Sequence, residues 1–254
     1  MLSAIIIAKN SQRTIRRCLE SLRFVDEIVV LDSGSSDATL EICRELGARV
    51  HETLDWPGYG PQKNRALELA TGEWIFSIDS DEWVSEALRR ELESKTTAEG
   101  TKVAYAMPRR SSFCGRFMRH SGWWPDHVVR LFRRGAARFS DDLVHEQLIV
   151  DGAIGRLREP ILHEAVTDID QLITKLNAYS TSGAQMKHAR GEDASLATAL
   201  VHGAWTFFRT YVLRLGFLDG REGFLLAVAN AEGTYYRYVK LWLMTREARD
   251  SDKR

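Results

Sequence analysis

Asp79-Ser80-Asp81 sets two carboxylates two residues apart, directly behind the apolar run Trp74-Ile75-Phe76-Ser77-Ile78. Carboxylates so spaced on a turn leaving a strand can both approach one hard divalent cation. Mg²⁺ or Mn²⁺ prefers such oxygen ligands and keeps room for substrate phosphates. A bare Asp-x-Asp triplet is a weak signal, because most are solvated turns or helix caps; its place after a buried strand gives it weight. Asp32 ends a second apolar run, Glu27 to Leu31, and opens the turn Ser33-Gly34-Ser35-Ser36-Asp37. In a mostly parallel sheet with helices on both faces, ligands bind at the carboxyl ends of the strands. The two acidic turns are therefore expected to meet in one crevice.

The elements that must position them alternate short apolar runs with amphipathic ones, the pattern of an α/β sheet. Ala4 to Ala8 reads as a first strand rather than a signal peptide, since no basic leader or small-residue cleavage site accompanies it. Ile15, Leu19 and Leu22 recur at helical spacing, with Asn10 or Ser11 as the expected cap. A helix carrying Leu40, Ile42 and Leu46 should stop at Gly47. The Ala48 to His51 strand leads to Asp55-Trp56-Pro57-Gly58-Tyr59-Gly60, and Pro61 suits the first turn of the next helix. After about Asp170 the strand signals fade, and helices are expected over roughly 195–215 and 223–244. The first is apolar around most of its circumference, so it is either packed on the domain or lying in a membrane interface.

The chain has 254 residues, 44% hydrophobic and 28% charged, which excludes disorder as its main state. Its longest charge-free stretch in the greasy C-terminal part, Ala194 to Phe208, is too short for a spanning helix. Cys18, Cys43 and Cys114 are odd in number and lack metal-ligand spacing, so a reducing, cytoplasmic compartment is expected. Lys+Arg and Asp+Glu balance at 35 each, yet residues 101–140 hold nine basic side chains against the single Asp126. Eight of these are arginines, Arg109, Arg110, Arg116, Arg119, Arg130, Arg133, Arg134 and Arg138. Such an island favours a phosphate-rich ligand or anionic surface over a merely solvated face. It has no recognition-helix pattern, so nucleic acid is not an expected partner.

Four blocks in order resemble the motifs of family 2 glycosyltransferases: Ile5-Ile6-Ile7-Ala8-Lys9-Asn10; Val29 through Asp32-Ser33-Gly34-Ser35-Ser36-Asp37-Ala38-Thr39; Gln62-Lys63-Asn64-Arg65-Ala66-Leu67 through Trp74; and Asp79-Ser80-Asp81-Glu82. The block from Asp55 to Asn64 and Leu143-Val144-His145-Glu146 further resemble the lipopolysaccharide-core glucosyltransferase subgroup. The resemblance covers about residues 1–165. It implies a GT-A fold with a Rossmann-like sheet, hence a catalytic domain over 1–170; the helical pattern after it makes 171–254 a C-terminal helical region for acceptor, membrane or dimer contact. The resemblance further implies an inverting transfer of a hexose, glucose by the subgroup, from a nucleotide sugar such as UDP-glucose. The acceptor would be a phosphorylated or lipid-linked envelope glycan such as the lipopolysaccharide inner core; a membrane-anchored acceptor needs an enzyme at the inner face of the membrane, for which the arginines from Arg109 to Arg138 and Trp205, Phe207, Phe208 and Tyr211 are the candidate surfaces.

The residue roles it implies are these. Asp32 receives the base or ribose, Lys63 lies near the nucleotide, and Asp79 faces ribose or metal-bound water. Asp81 binds Mg²⁺ or Mn²⁺ directly, with Asp79 beside it and His163 completing the shell. Glu146 is the expected base, Asp142 its competitor and His145 an orienting neighbour. Two departures from the family stand out: Ser33 where a second acid is common, and no Glu-Asp pair at the base. A sugar-phosphate nucleotidyltransferase is the rival enzyme class, although Ala8 to Arg13 lacks the glycine-rich loop it usually needs. A non-catalytic nucleotide-sugar-binding protein is the other alternative, and oligomeric state stays open.

Overall fold

The computed structural model describes residues 1–97, 100–140 and 147–251, with side chains through Glu247. The chain divides into two compact units, Met1–Arg110 with Asp126–His163, and Ser111–Pro125 with Glu164–Arg254.

The first unit is an α/β sheet. Strands β1 (Leu2–Ala8), β2 (Glu27–Asp32), β3 (Arg49–Glu52) and β4 (Trp74–Ser77) form its parallel half, with β1 between β2 and β4. β5 is Glu82–Trp83, β6 is Ala104–Phe113, β8 is Asp126–Arg133 and β12 is Ile161–Val166. These continue the sheet in the order β3-β2-β1-β4-β8-β6-β12-β5, with β4–β8, β6–β8 and β5–β12 antiparallel. The short strands β9 (Ala137–Phe139) and β10 (Leu148–Val150) make a separate antiparallel pair, and β11 (Ile154–Arg156) joins β6 in parallel.

β1 is apolar on both sides because both its faces are covered. Leu2, Ala4, Ile6 and Ala8 pack with α1 (Ile15–Ser21), α2 (Thr39–Glu45) and α4 (Glu86–Thr97). Ile5 points the other way, to Ala66 in α3 (Tyr59–Leu69) and to Ala70 at its end. The two-residue period of a strand thus sends neighbouring side chains into two different cores.

Gly72 leads into β4, and a Cβ there would lie 2.5 Å from Ser3 Oγ and 2.8 Å from Ser3 N. The Gly72 N–H donates to that same hydroxyl at 2.8 Å. Gly72→Ala is expected to destabilise the protein by about 1–3 kcal/mol, the usual penalty for overpacking. Urea denaturation monitored by circular dichroism reads this as a lowered midpoint.

Some sequence expectations need correction. Thr14, not Asn10 or Ser11, precedes α1, and no side chain caps it. Asn10 instead sits at φ 50° and its Oδ1 accepts from the Ser36 N–H at 2.8 Å, joining two loops at the strand ends. Gly47 does end α2, at φ 78°, with its N–H donating to Arg44 O.

In the second unit, α5 (Ile169–Ala189) is a helix of 21 residues that the sequence pattern did not reveal. Asp168 caps it by accepting from the Gln171 N–H. α6 (Leu196–Phe208) passes into a π-helical turn, Arg209–Leu213, and α7 runs over Gly220–Ser251. Both α5 and α6 pack on α7. Gly203 lets α6 approach Tyr235, and Lys240 Nζ donates to Asn177, Ser180 and Thr181 of α5. Buried Asp219 accepts from the backbone N–H groups of Arg119 and His120. β7 (Arg116–Phe117) pairs with the last residues of β6. No helix among the described residues is long and apolar enough to cross a membrane.

Candidate active site

The turn after β4 closes on itself. The Asp79 N–H donates to Glu82 Oε2 at 3.0 Å, and the Glu82 N–H returns a bond to Asp79 O at 3.0 Å. Glu82 then starts β5, where it lies opposite His163 of β12. That pairing carries His163 to Asp81, with Nε2 3.5 Å from Oδ2. Ser80 Oγ lies 2.9 Å from Ser11 Oγ of the loop after β1.

Asp79 faces two cations. Its Oδ1 is 3.0 Å from Lys63 Nζ of α3, and its Oδ2 accepts from Arg130 of β8. The same Arg130 nitrogen donates to Glu82 Oε1 at 2.7 Å. Glu82 has no exposed side-chain surface, and Arg130 is almost fully buried. Arg109 lies 3.9 Å from Glu82 and also pairs with Asp126 at 2.6 Å.

Burial works to raise the Asp79 carboxyl, but the charges of Arg130 and Lys63 outweigh it and hold it well below the usual carboxylate range. Glu82 moves the opposite way: its burial, helped by the nearby Asp79 charge, exceeds the pull of Arg130 and raises it. Burial opposes the Arg130 cation, yet Asp79 and Glu82 overcome that and raise it further. The result is a buried charge cluster centred on Arg130.

Asp32 is fully buried and bent onto its own turn. Its Oδ2 accepts from the N–H groups of Gly34 and Ser35 at 2.8 and 2.7 Å, and its Oδ1 from the Ser35 hydroxyl. A carboxylate offers about four acceptor positions, and these three bonds leave one of them, on Oδ1. Gln62 Nε2 donates to Ser33 Oγ and to Thr53 Oγ1, fixing this loop to α3. Asn64 exchanges two 2.9 Å hydrogen bonds with the backbone of Phe139.

The structure therefore brings Lys63 to Asp79, and His163 to Asp81. Asp142, His145 and Glu146 lie outside the described residues. Among the described residues no three His, Cys, Asp or Glu side chains form a metal cluster. Asp81 and His163 are still a suitable donor pair, one carboxylate and one imidazole, both partly exposed. Mg²⁺ and Mn²⁺ commonly take one or two protein ligands and fill the rest with phosphate and water.

Sequence reasoning counted Arg130 only in the basic island and missed its pairing with Asp79 and Glu82. The signal was one arginine inside the apolar run Val128-Val129-Arg130-Leu131-Phe132. Within the arginine island, Arg109 pairs with the island's own Asp126, while Arg116, Arg130 and Arg133 pair with Glu222, with Asp79 and Glu82, and with Glu73, acids elsewhere in the chain. A cleft bounded by Leu22, Asp26, Ile28, Leu46 and Arg49 shares no residue with this site.

Similarity to known proteins agrees with the motif order. Residues 3–161 match the family described as Glycosyl transferase family 2. The lipopolysaccharide core biosynthesis glycosyltransferase LpsC of Rhizobium meliloti is 31% identical, over 95% of this chain and 92% of its own. An uncharacterized glycosyltransferase of Rickettsia felis is 30% identical over 94% of this chain and 89% of its own. Glucosyl-3-phosphoglycerate synthase from Mycobacterium tuberculosis, solved with Mn²⁺, UDP and glucosyl-3-phosphoglycerate, is 28% identical over 44% of each chain, with a TM-score of 0.36. With this match over residues 3–161 and relatives 30% and 31% identical along nearly the whole chain, the chain belongs to glycosyl transferase family 2.

Proposed function

We propose that this protein is a metal-dependent, inverting enzyme that moves a hexose, glucose in the first instance, from a UDP-sugar to an envelope glycan such as the lipopolysaccharide inner core. The observation that carries this reading is the similarity, along nearly the whole of both chains, to a protein named for lipopolysaccharide core biosynthesis. A UDP-sugar donor places the work in the cytoplasm, and the three free thiols suit that compartment.

Asp81 and His163 are the residues that would hold Mg²⁺ or Mn²⁺. When bound, the metal supplies charge stabilisation for the departing diphosphate. Asp79 ties Lys63 and Arg130 to the end of β4, which fixes the turn that presents Asp81 to the donor. Asp32 shapes the loop that receives the nucleoside. Glu146 takes the proton from the acceptor hydroxyl as that oxygen attacks the anomeric carbon, with Asp142 as the alternative.

A screen of nucleotide sugars for hydrolysis and transfer, with Mn²⁺ and with excess chelator, tests the donor. Turnover of UDP-glucose above the other donors, lost in chelator, is the expected result. A folded protein that turns over no nucleotide sugar overturns the reading. Glu146→Gln should keep donor binding while transfer falls by roughly 10²-fold or more, because it preserves shape and removes the proton-accepting charge. If Asp142→Asn has that phenotype and Glu146→Gln does not, the two roles are exchanged.

A further inference from the structure

α6 is turned the wrong way for an ordinary surface helix. It buries its small residues, Ala199 and Gly203, and exposes its large ones. Leu200, Val201, Trp205 and Phe208 are 62%, 66%, 50% and 44% exposed, and Ala197 and Ala204 fill the positions between them. The spacing of 197, 200, 201, 204, 205 and 208 makes one continuous helical stripe. Val212, Leu213, Leu215, Phe217 and Leu218 extend the exposed apolar surface through the π-turn and the following loop. Phe207 and Tyr211 are not part of it; both rings lie against Phe224.

Charge decides what covers this surface. From Leu196 to Leu218 the chain has no acidic residue. Arg209, Arg214 and Arg221 are exposed around the apolar stripe, and none pairs with an acid among the described residues. Asp219, the next acid, is buried against His120. A second copy of the chain meeting this patch face to face would bring apolar surface but no acid for the arginines, because a two-fold contact is made by the same acid-free segment on both sides. A lipid surface supplies both things the patch lacks, acyl chains for the stripe and phosphates for the arginines.

We propose that Leu196–Leu218 is a monotopic membrane anchor that lays α6 flat in the headgroup region of an anionic bilayer. Leu200, Val201, Trp205 and Phe208 enter the acyl boundary, and Arg209, Arg214 and Arg221 bind lipid phosphates. Each arginine near a negatively charged surface is worth about fivefold in partitioning at low salt. The proposal stands on this surface alone, whichever sugar the enzyme moves.

The test is flotation of the full chain with vesicles of phosphatidylcholine alone and with about one third phosphatidylglycerol, at low and high salt. Binding to the anionic vesicles that weakens with salt is expected. The variant L200S/W205S/F208S should lose at least tenfold in vesicle partitioning while keeping its circular dichroism and its hydrolysis of nucleotide sugar in solution. R209Q/R221Q should weaken binding to anionic vesicles and leave the salt dependence shallower. Protein unbound at low salt, or a triple variant that floats like the parent, overturns the proposal. So does a dimer in sedimentation velocity that the triple variant abolishes, since the stripe would then be a subunit contact. Donor hydrolysis is read without vesicles, so failure of the catalytic reading and failure of the anchor are distinguishable.

Discussion

Arg130→Met is expected to lower the unfolding free energy by about 3–5 kcal/mol, the usual penalty for removing one partner of a buried ion pair. The variant leaves the Glu82 carboxyl with no exposed surface and without its 2.7 Å donor, and frees Asp79 from one of its two cations. The diagnostic arm is the second substitution. Adding Glu82→Gln to Arg130→Met removes the stranded charge, so it should recover part of the loss. Glu82→Gln in the parent should instead destabilise. A non-additivity of about 1–3 kcal/mol in a double-mutant cycle from urea denaturation is the expected reading. Simple addition of the two losses would show that Arg130 acts through packing, not through the charges it joins.

Asp81→Ala is expected to reduce kcat/KM for donor turnover by about 10³-fold at a fixed Mn²⁺ concentration, the scale of losing a metal ligand's share of transition-state charge stabilisation. Its side chain is a third exposed and, among the described residues, pairs with His163, so folding should survive. Raising Mn²⁺ should recover part of the activity, and His163→Ala should show the same behaviour with a smaller loss. The measurement is initial rate against Mn²⁺ concentration for each protein. Full activity of Asp81→Ala in chelator would remove the metal from this site altogether.

The sequence is most readable where one element does one thing. β1, β2 and β4 announce themselves because strands covered on both faces are continuous apolar runs, and α2 ends at the glycine that needs φ 78°. β6 and β8 are harder, since Arg109 and Arg130 interrupt the apolar pattern with charges whose partners, Asp126 and Glu82, lie 17 and 48 residues away. α5 is missed for another reason. Thr181, Ser182 and Gly183 dilute its periodicity, and it buries Ser180 and Ala184 where most helices bury leucine. At the site, Asp79 and Asp81 stand out by type and spacing. Glu82 does not, because nothing in a glutamate's identity says that an arginine fifty residues away lets it be buried.

The two hydrogen bonds between Asn64 and Phe139 have a consequence for engineering. They fasten β9 to the helix that carries Lys63, and the next residue, Ser140, bonds in both directions with Gln147. Ser140 and Gln147, which flank residues 141–146, are therefore held together by bonds between their own atoms. Such a connection is an exchangeable cassette. A replacement of twice its length should cost only about 0.6 kcal/mol in closure entropy. Exchanges that keep an acid at the positions of Asp142 and Glu146 are thus a direct test of whether this segment sets which acceptor is served.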